Sequence, residues 1–139
     1  MQNILTDEQI QALLSAAWQG AANAYSPYSH FAVGAAVWGA DGKIYTGCNV
    51  ENISFGLTNC AERTAIFSMV AAGCKKFTAI AIVANSDGIT APCGACRQVM
   101  VELAAGAGTP VYLANKTEQQ THKVGALMPI AFSEFEANG

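Results

Sequence analysis

Two segments decide the fold that we predict for this chain: NCAER at residues 59–63 and PCGACR at residues 92–97. Apolar residues at helical spacing follow each segment, so we predict helices over residues 60–72 and 95–105. The candidate caps of the first helix are Thr58 and Asn59 at its start and Gly73 at its end. The cysteines of both segments are therefore expected at helix N-termini, where the positive end of the helix dipole favours thiolates.

Cys60, Cys93 and Cys96 have the composition of a catalytic zinc site. A structural zinc site usually has four protein ligands, whereas a catalytic site has three and keeps one position open for water. Glu62 follows the first cysteine by two residues. Its carboxyl group is therefore expected beside the open position, where it can act as a general acid and base. We predict one zinc ion per chain.

Length and composition predict a single domain that spans residues 1–139, because 52% hydrophobic residues suffice for a core. No apolar run approaches the ~20 residues that span a membrane, and the N-terminus lacks a signal-peptide profile, so a cytoplasmic location is expected. Seven Lys and Arg residues against ten Asp and Glu residues argue against nucleic acid as a partner. Charged residues make up only 12%, so we expect other subunits to cover part of the surface.

The rest of the chain predicts an α/β arrangement. Thr6 and Gln9 have the spacing of a capping box for a first helix. Small residues at alternate positions of the first strand, Ala32, Gly34 and Ala36, would let a helix approach the sheet closely. The predicted strands lie at residues 31–38, 43–48, 77–84, 111–114 and about 120–124. A short helix is predicted near Leu127.

These segments resemble the small zinc-dependent cytidine deaminases of nucleoside salvage, over about residues 25–132. The blocks that carry the resemblance are YSPYSHFAVGA (25–35), GCNVEN (47–52), NCAERT (59–64) and PCGACRQ (92–98). The cysteine and glutamate spacing is also the pattern of zinc deaminases in general. The resemblance implies a three-layer α/β/α sandwich around a five-stranded mixed sheet, and a homotetramer. It also implies hydrolysis of cytidine and 2′-deoxycytidine to uridine and 2′-deoxyuridine, with release of ammonia.

By position, the resemblance implies zinc ligands at Cys60, Cys93 and Cys96 and a proton shuttle at Glu62. The substrate-binding residues that it implies are Phe31 beside the pyrimidine, Asn49 and Glu51 at the ribose hydroxyls, Ala61 through its backbone at the base, and Phe132 from a neighbouring subunit. Two positions depart from the family pattern. Phe55 stands where some relatives have tyrosine, and GALM at residues 125–128 replaces a more usual Glu-Leu-Leu, so we expect the subunit contacts to differ in detail.

Three thiolates around one zinc ion leave a net charge of about −1, which weakens the effect of the metal on bound water. We expect the two helix N-termini to offset this charge, together with Arg63, whose guanidinium can donate to the ligand sulfurs.

Several alternatives stay open at this stage. The substrate could be another aminopyrimidine nucleoside, such as a nucleoside antibiotic, although the Asn49 and Glu51 pair favours ribose. The three cysteines could instead form a non-catalytic structural zinc site completed by Cys48 or His30, which leaves Glu62 without a role. Purely structural roles are open for several residues. Asn49 and Glu51 could only shape a turn, and Phe31 could belong to the core. Arg63 could be a solvated helix residue, and Arg97 is expected to be solvated or in a subunit contact.

Overall fold

The computed structural model describes residues 5–133 and contains a five-stranded mixed sheet with helices on both faces. The elements in chain order are α1 (Asp7–Ala21), β1 (Val33–Gly39), β2 (Ile44–Cys48), a short 3-10 helix (Phe55–Leu57), α2 (Ala61–Ala71), β3 (Phe77–Ala84), α3 (Gly94–Leu103), β4 (Pro110–Ala114), β5 (Gln119–Lys123) and α4 (Val124–Leu127). The strand order is β2-β1-β3-β4-β5, and only β3 and β4 run parallel. The predicted α/β/α sandwich with a five-stranded mixed sheet is confirmed.

The side chains of the sheet point alternately into two cores. In β1, Ala36 packs with Leu13 and Ala17 of α1 on one face. Its neighbours Ala35 and Val37 pack on the other face, in the core that α2 and α3 cover. This alternation follows from the period of two in a β-strand. The sheet therefore separates α1 from the helices that begin with cysteine.

The helix α1 is capped as predicted and lies very close to the sheet. The Thr6 hydroxyl accepts from the Gln9 amide nitrogen at 3.2 Å, and the Gln9 side chain accepts from the Thr6 nitrogen at 2.9 Å. A Cβ atom on Gly34 would lie 2.0 Å from the Ala17 carbonyl oxygen. The prediction that small residues in β1 admit a helix is therefore confirmed at Gly34.

The helix α2 makes a similar backbone contact with β2 on the opposite face of the sheet. A Cβ atom on Gly47 would lie 2.3 Å from the Ala65 amide nitrogen and 2.6 Å from the Ala61 carbonyl oxygen. No side chain fits between these two backbones. Gly47 thus sets how closely the first turns of α2 approach the sheet.

The prediction that Thr58 or Asn59 caps α2 was wrong, because the N-cap is Cys60. The Thr58 hydroxyl accepts from the Asn52 amide at 3.2 Å. The Asn59 backbone pairs with Val50 in a β-bridge. The helix therefore cannot begin before the residue that follows this bridge. The predicted stop is correct, since Gly73 has the positive φ of 101° that terminates many helices.

Within residues 5–133, no helix combines the length and the apolar character that crossing a bilayer requires. The cytoplasmic location stays a prediction.

Candidate active site

The structure brings together the three cysteines that the sequence predicts as metal ligands. The sulfur atoms of Cys60, Cys93 and Cys96 all lie within 4.8 Å of one another. The Cys60 and Cys93 sulfurs are 3.8 Å apart, and those of Cys93 and Cys96 are 3.4 Å apart. Sulfurs bound to a tetrahedral zinc ion at about 2.3 Å would be about 3.8 Å apart. The thiol set therefore fits a zinc ion.

The three thiols stand at the N-termini of two helices. Cys60 is the N-cap of α2 and Cys93 is the N-cap of α3. Cys96 lies in the first turn of α3, and its amide nitrogen is 3.5 Å from the Cys93 sulfur. Unpaired amide groups and the helix dipole at these ends stabilise negative charge on sulfur. The predicted placement of the cysteines at helix starts is confirmed, with Cys60 at the cap itself.

Arg63 neutralises part of the charge on the thiol cluster. Its Nη2 atom donates to the Cys60 sulfur at 3.4 Å. The pKa of the Cys60 thiol is lowered, first because the Cys96 thiol donates to it and then because Arg63 does. The pKa of Cys96 is raised, chiefly because this thiol keeps the proton that the pair shares. Arg63 therefore favours the thiolate form that a metal requires.

The Nε atom of Arg63 is buried and has no hydrogen-bond partner among residues 5–133. A buried N–H group without an acceptor is unfavourable, so this guanidinium is held at the cluster by its charge and not by a complete set of hydrogen bonds.

Glu62 is a buried carboxyl group next to the thiols. It lies in the first turn of α2 with only 4% of its surface exposed. Burial is the main reason that the pKa of Glu62 is raised above its ordinary value, and negative charge at Cys60 raises it further. A raised pKa makes the Glu62 carboxylate a stronger base than an exposed glutamate, which suits a group that accepts a proton and passes it on.

Glu51 is held by the turn that precedes β1. Its Oε1 atom accepts from the amide nitrogens of Tyr28 at 3.0 Å and Ser29 at 3.1 Å, and the Ser29 hydroxyl donates to Oε2. The Ser29 hydroxyl is also the main reason that the pKa of Glu51 is lowered. The carboxylate is thus ionised and fixed in direction, with acceptor capacity left for a ligand.

Asn49 is bound to the backbone at the entrance of β1 and is only 9% exposed. Its Oδ1 atom accepts from the Val33 nitrogen at 3.0 Å, and its Nδ2 atom donates to the Phe31 carbonyl oxygen at 2.7 Å. Asn49 therefore shapes this part of the chain, as one alternative predicted. Its second Nδ2 hydrogen stays available to a substrate.

The other predicted substrate-binding residues lie in different environments. Ala61 is fully buried at the start of α2, and Phe31 is half-buried. Phe132 is 72% exposed, and its carbonyl oxygen accepts from the Gln98 side chain at 2.7 Å. Phe55 is 75% exposed and meets the Tyr28 ring edge-on, with the ring centroids 6.2 Å apart. The ring of Phe132 thus lies outside the core of its own chain.

Arg97 is half-buried and bound within its own chain, so it is not simply a solvated helix residue, and the expected subunit contact stays a prediction. Its Nε atom donates to the Pro92 carbonyl oxygen at 2.8 Å, and its Nη1 atom donates to the Leu127 carbonyl oxygen at 3.0 Å. Arg97 joins the loop before Cys93 to the end of α4. Pro92 and Leu127 are 5 and 30 residues from Arg97 along the sequence, and no sequence pattern indicates the contact with Leu127.

The fourth ligand that a structural zinc site needs is missing from the described part of the chain. No further His, Cys, Asp or Glu residue joins the three thiols within residues 5–133. The Cys48 sulfur instead lies 3.5 Å from the Asn23 carbonyl oxygen, and His30 is exposed in the turn before β1. Sequence reasoning also missed Ser29 and Gln98, whose contacts join distant segments.

Three clustered thiols beside a buried carboxyl group, at the starts of two helices on a mixed sheet, form the donor set expected of hydrolases that use a catalytic zinc ion. A profile of the family described as "Cytidine and deoxycytidylate deaminase zinc-binding region" matches residues 7–114. This chain therefore belongs to the cytidine and deoxycytidylate deaminase family.

Two relatives and one solved structure illustrate the match. A cytidine deaminase from Sporosarcina psychrophila is 47% identical over 126 residues, which cover 90% of this chain and 92% of that protein. A cytidine deaminase from Halalkalibacterium halodurans is 48% identical over 129 residues, which cover 92% and 97%. The crystal structure of cytidine deaminase from Burkholderia pseudomallei superposes with a TM-score of 0.85 at 50% identity, covering 92% of this chain and all of that one.

Proposed function

We propose that this protein hydrolyses cytidine and 2′-deoxycytidine to uridine and 2′-deoxyuridine, with release of ammonia, in pyrimidine salvage. The observation that carries the proposal is the buried carboxyl group of Glu62 beside three clustered thiols, in a chain of the deaminase family. Residues 1–139 would act as one catalytic domain. The relatives from Sporosarcina psychrophila and Halalkalibacterium halodurans bear the name cytidine deaminase.

Cys60, Cys93 and Cys96 would hold one zinc ion per chain. Zinc, when bound, supplies a Lewis acid that lowers the pKa of a bound water and so provides a nucleophile at neutral pH. The thiolates themselves work against this effect, because their summed charge exceeds that of the ion. Arg63 and the N-termini of α2 and α3 reduce that excess, through the guanidinium and the helix dipoles.

Glu62 would carry the protons of the reaction. Its carboxylate takes a proton from the attacking water and delivers it to the ring nitrogen next to the amine-bearing carbon. The water oxygen bonds to the amine-bearing carbon, and the hydroxyl group formed there then gives its proton to the same carboxylate, which passes it to the amine. A carbon–oxygen double bond forms as the carbon–nitrogen bond breaks, and ammonia leaves. Burial supports this double role, because it raises the pKa of Glu62 and so makes the carboxylate a stronger base than an exposed one.

The sugar and the base would be recognised by the remaining residues of the site. Glu51 presents a fixed, ionised carboxylate, and Asn49 presents one free amide hydrogen, for the ribose hydroxyls. Phe31 would lie against the pyrimidine, and the backbone of Ala61 would contact the base. The charge of Glu51 would repel a substrate phosphate, so nucleotides should be poor substrates.

The zinc ligands can be tested with a matched pair of cysteine variants. Cys93→Ser should lose zinc and turnover, whereas Cys48→Ser, outside the cluster, should keep one zinc ion per chain and normal turnover. Zinc is measured by atomic emission, and folding is checked by circular dichroism. Folded, active Cys93→Ser protein with full zinc content would exclude Cys93 as a ligand.

The substrate is tested by measuring ammonia release from cytidine, cytosine, cytidine monophosphate and an aminopyrimidine nucleoside antibiotic. Cytidine should be deaminated far better than cytosine, because Asn49 and Glu51 have nothing to bind in a free base. Equal rates on cytidine and its monophosphate would contradict the proposed role of Glu51. A clear preference for the antibiotic would favour the alternative function.

We further infer that the active form is a homotetramer in which Phe132 of one chain closes the pocket of another. Large apolar side chains are exposed on the described part of the chain, among them Ile53, Phe55, Leu57, Ile130 and Phe132. A surface of this kind is unfavourable in a monomer and is typical of protein interfaces. An aromatic side chain that excludes water would also strengthen the electrostatic interactions of the site.

A mixing experiment tests the contribution from a second chain. Phe132→Ala should raise KM or lower kcat at unchanged zinc content. A Glu62→Gln chain is expected to be inactive but still supplies Phe132, so mixed oligomers of the two variants should regain part of the activity. Verified mixed oligomers without any rescue, or a fully active monomer, would contradict the inference.

A further inference from the structure

Ser29 connects two residues to which the proposed function assigns substrate contacts. Its hydroxyl donates to Oε2 of Glu51 and accepts from the Phe31 amide nitrogen at 3.1 Å. One hydroxyl group can make both bonds, because it has one donor hydrogen and two acceptor lone pairs. Ser29 therefore links the sugar side of the proposed site to its base side through a single oxygen atom.

The carboxylate of Glu51 is held unequally at its two oxygens. Oε1 accepts two backbone amides, from Tyr28 and Ser29, which occupy both of its lone pairs. Oε2 has one partner among residues 5–133, the Ser29 hydroxyl, and so keeps one acceptor position. That position is where Glu51 can accept a sugar hydroxyl, and its direction depends on Ser29.

We propose that Ser29 is a positioning residue for nucleoside binding, which directs Oε2 of Glu51 at one hydroxyl of the sugar. The proposal rests on the proposed function, because it requires that Glu51 binds the sugar. Ser29 need not touch the substrate. Its hydroxyl aligns the Glu51 carboxylate before the substrate binds. The free energy of ordering this side chain is therefore not subtracted from the binding energy of the substrate. The lowered pKa of Glu51 agrees with such a bond to its charged form.

The test compares Ser29→Ala with Ser29→Thr on cytidine and on 2′,3′-dideoxycytidine, which lacks the 2′- and 3′-hydroxyls at which Oε2 is proposed to be directed and keeps only the 5′-hydroxyl. Ser29→Ala should lower kcat/KM on cytidine about tenfold, mainly through KM, because a hydrogen bond to a charged group contributes a factor of this order. Its kcat/KM on the dideoxy substrate should stay within about twofold of the wild type. Ser29→Thr keeps the hydroxyl and should restore most of the cytidine activity.

The matched control is Ser26→Ala, a change in the same turn at a side chain that makes no hydrogen bond within residues 5–133. It should leave both substrates unaffected. An equal loss on cytidine and the dideoxy substrate in Ser29→Ala would mean that the hydroxyl only maintains the turn, which would overturn the proposal.

Glu51→Gln separates failure of this proposal from failure of the proposed function. If Glu51 binds the sugar, Glu51→Gln should itself lose activity on cytidine but not on the dideoxy substrate, and adding Ser29→Ala should then cost little more. If Glu51→Gln loses activity on cytidine only, but adding Ser29→Ala lowers it again by the full factor of about ten, Ser29 acts independently of Glu51 and the proposal is overturned. If Glu51→Gln loses nothing on cytidine, the proposed sugar contact fails, and the role of Ser29 fails with it.

Discussion

The contact between Gly47 and α2 makes a sharp prediction for Gly47→Ala. The new methyl group would lie 2.3 Å from the Ala65 nitrogen, whereas ordinary contacts begin at 3.4 Å. Because the obstructing atoms belong to the backbone, no side-chain rotation relieves the clash, and the first turns of α2 must move by ~1 Å. Overpacking of this kind costs about 3 kcal/mol, which corresponds to a fall in Tm of roughly 10 °C for a chain of this size.

The displacement should reach the site, because Cys60 is the N-cap of the helix that moves and Glu62 lies in its first turn. A misplacement of about 1 Å can cost about 100-fold in rate. We therefore expect Gly47→Ala to lower kcat/KM on cytidine by that order and to weaken zinc retention against a chelator, at temperatures where the variant is fully folded. Tm, zinc content and kcat/KM are measured on the same preparation.

Gly34→Ala is the matched control for this prediction. Its methyl group would meet the Ala17 carbonyl oxygen at 2.0 Å, an equally severe clash, but on the α1 face of the sheet. It should lower Tm by at least as much and leave zinc retention and kcat/KM nearly normal in folded protein. Unchanged kcat/KM in Gly47→Ala, or an equal loss in both variants, would refute the reasoning that Gly47 positions the site.

Three further predictions concern single side chains. Glu62→Gln should keep one zinc ion and lose about 100- to 10,000-fold in kcat, because an amide cannot transfer protons; near-normal turnover would exclude Glu62 as the shuttle. Arg97→Ala leaves two carbonyl groups without their donor, so a thermal scan should show Tm about 5 °C lower, and an unchanged Tm would mean that water replaces the guanidinium. Tyr45 donates to Asp41, which lowers the pKa of Asp41 below 3.8 and raises that of Tyr45 from 10.0 to about 12. The bond therefore contributes its full stability between pH 3.8 and pH 10.0, the ordinary pKa values of the two side chains. The contribution is lost below this range, as pH falls through the lowered pKa of Asp41, and above it, as pH rises toward about 12. Urea midpoints of Tyr45→Phe should be lower than those of the wild type at pH 7 and converge with them at both extremes; a constant difference would contradict this linkage.

Apolar patterns in the sequence predicted most of the helices and strands, because such patterns involve residues that are close together along the chain. The central strand was placed at residues 77–84, and β3 has these limits. The start of β1 was placed two residues too early, at Phe31, where the observed strand begins at Val33. The reason is a side chain: Asn49 occupies the Phe31 carbonyl and the Val33 amide, so the ladder with β2 cannot begin earlier.

The site was predictable to the extent that its residues lie in short segments. Cys93 and Cys96 share one helical turn, and Glu62 follows Cys60 by two residues, so their spacing in sequence indicates their chemistry. Contacts across the fold were not predictable in the same way. The bond from Ser29 to Glu51 spans 22 residues and depends on how a turn meets the end of a strand, which no local pattern specifies.

The spacing of the three thiols along the chain also has a consequence for the order of folding. Cys93 and Cys96 are neighbours in any conformation of the chain, whereas Cys60 is 33 residues from Cys93, with β3 between them. In the folded chain β3 pairs with β1 on one side and β4 on the other, so we expect the third thiol to join the pair when β3 inserts between these strands. Two thiols bind zinc more weakly than three, so the affinity for the ion should rise abruptly at this late, long-range step. A zinc-sensitive dye competing for the ion during refolding would therefore time the insertion of the central strand.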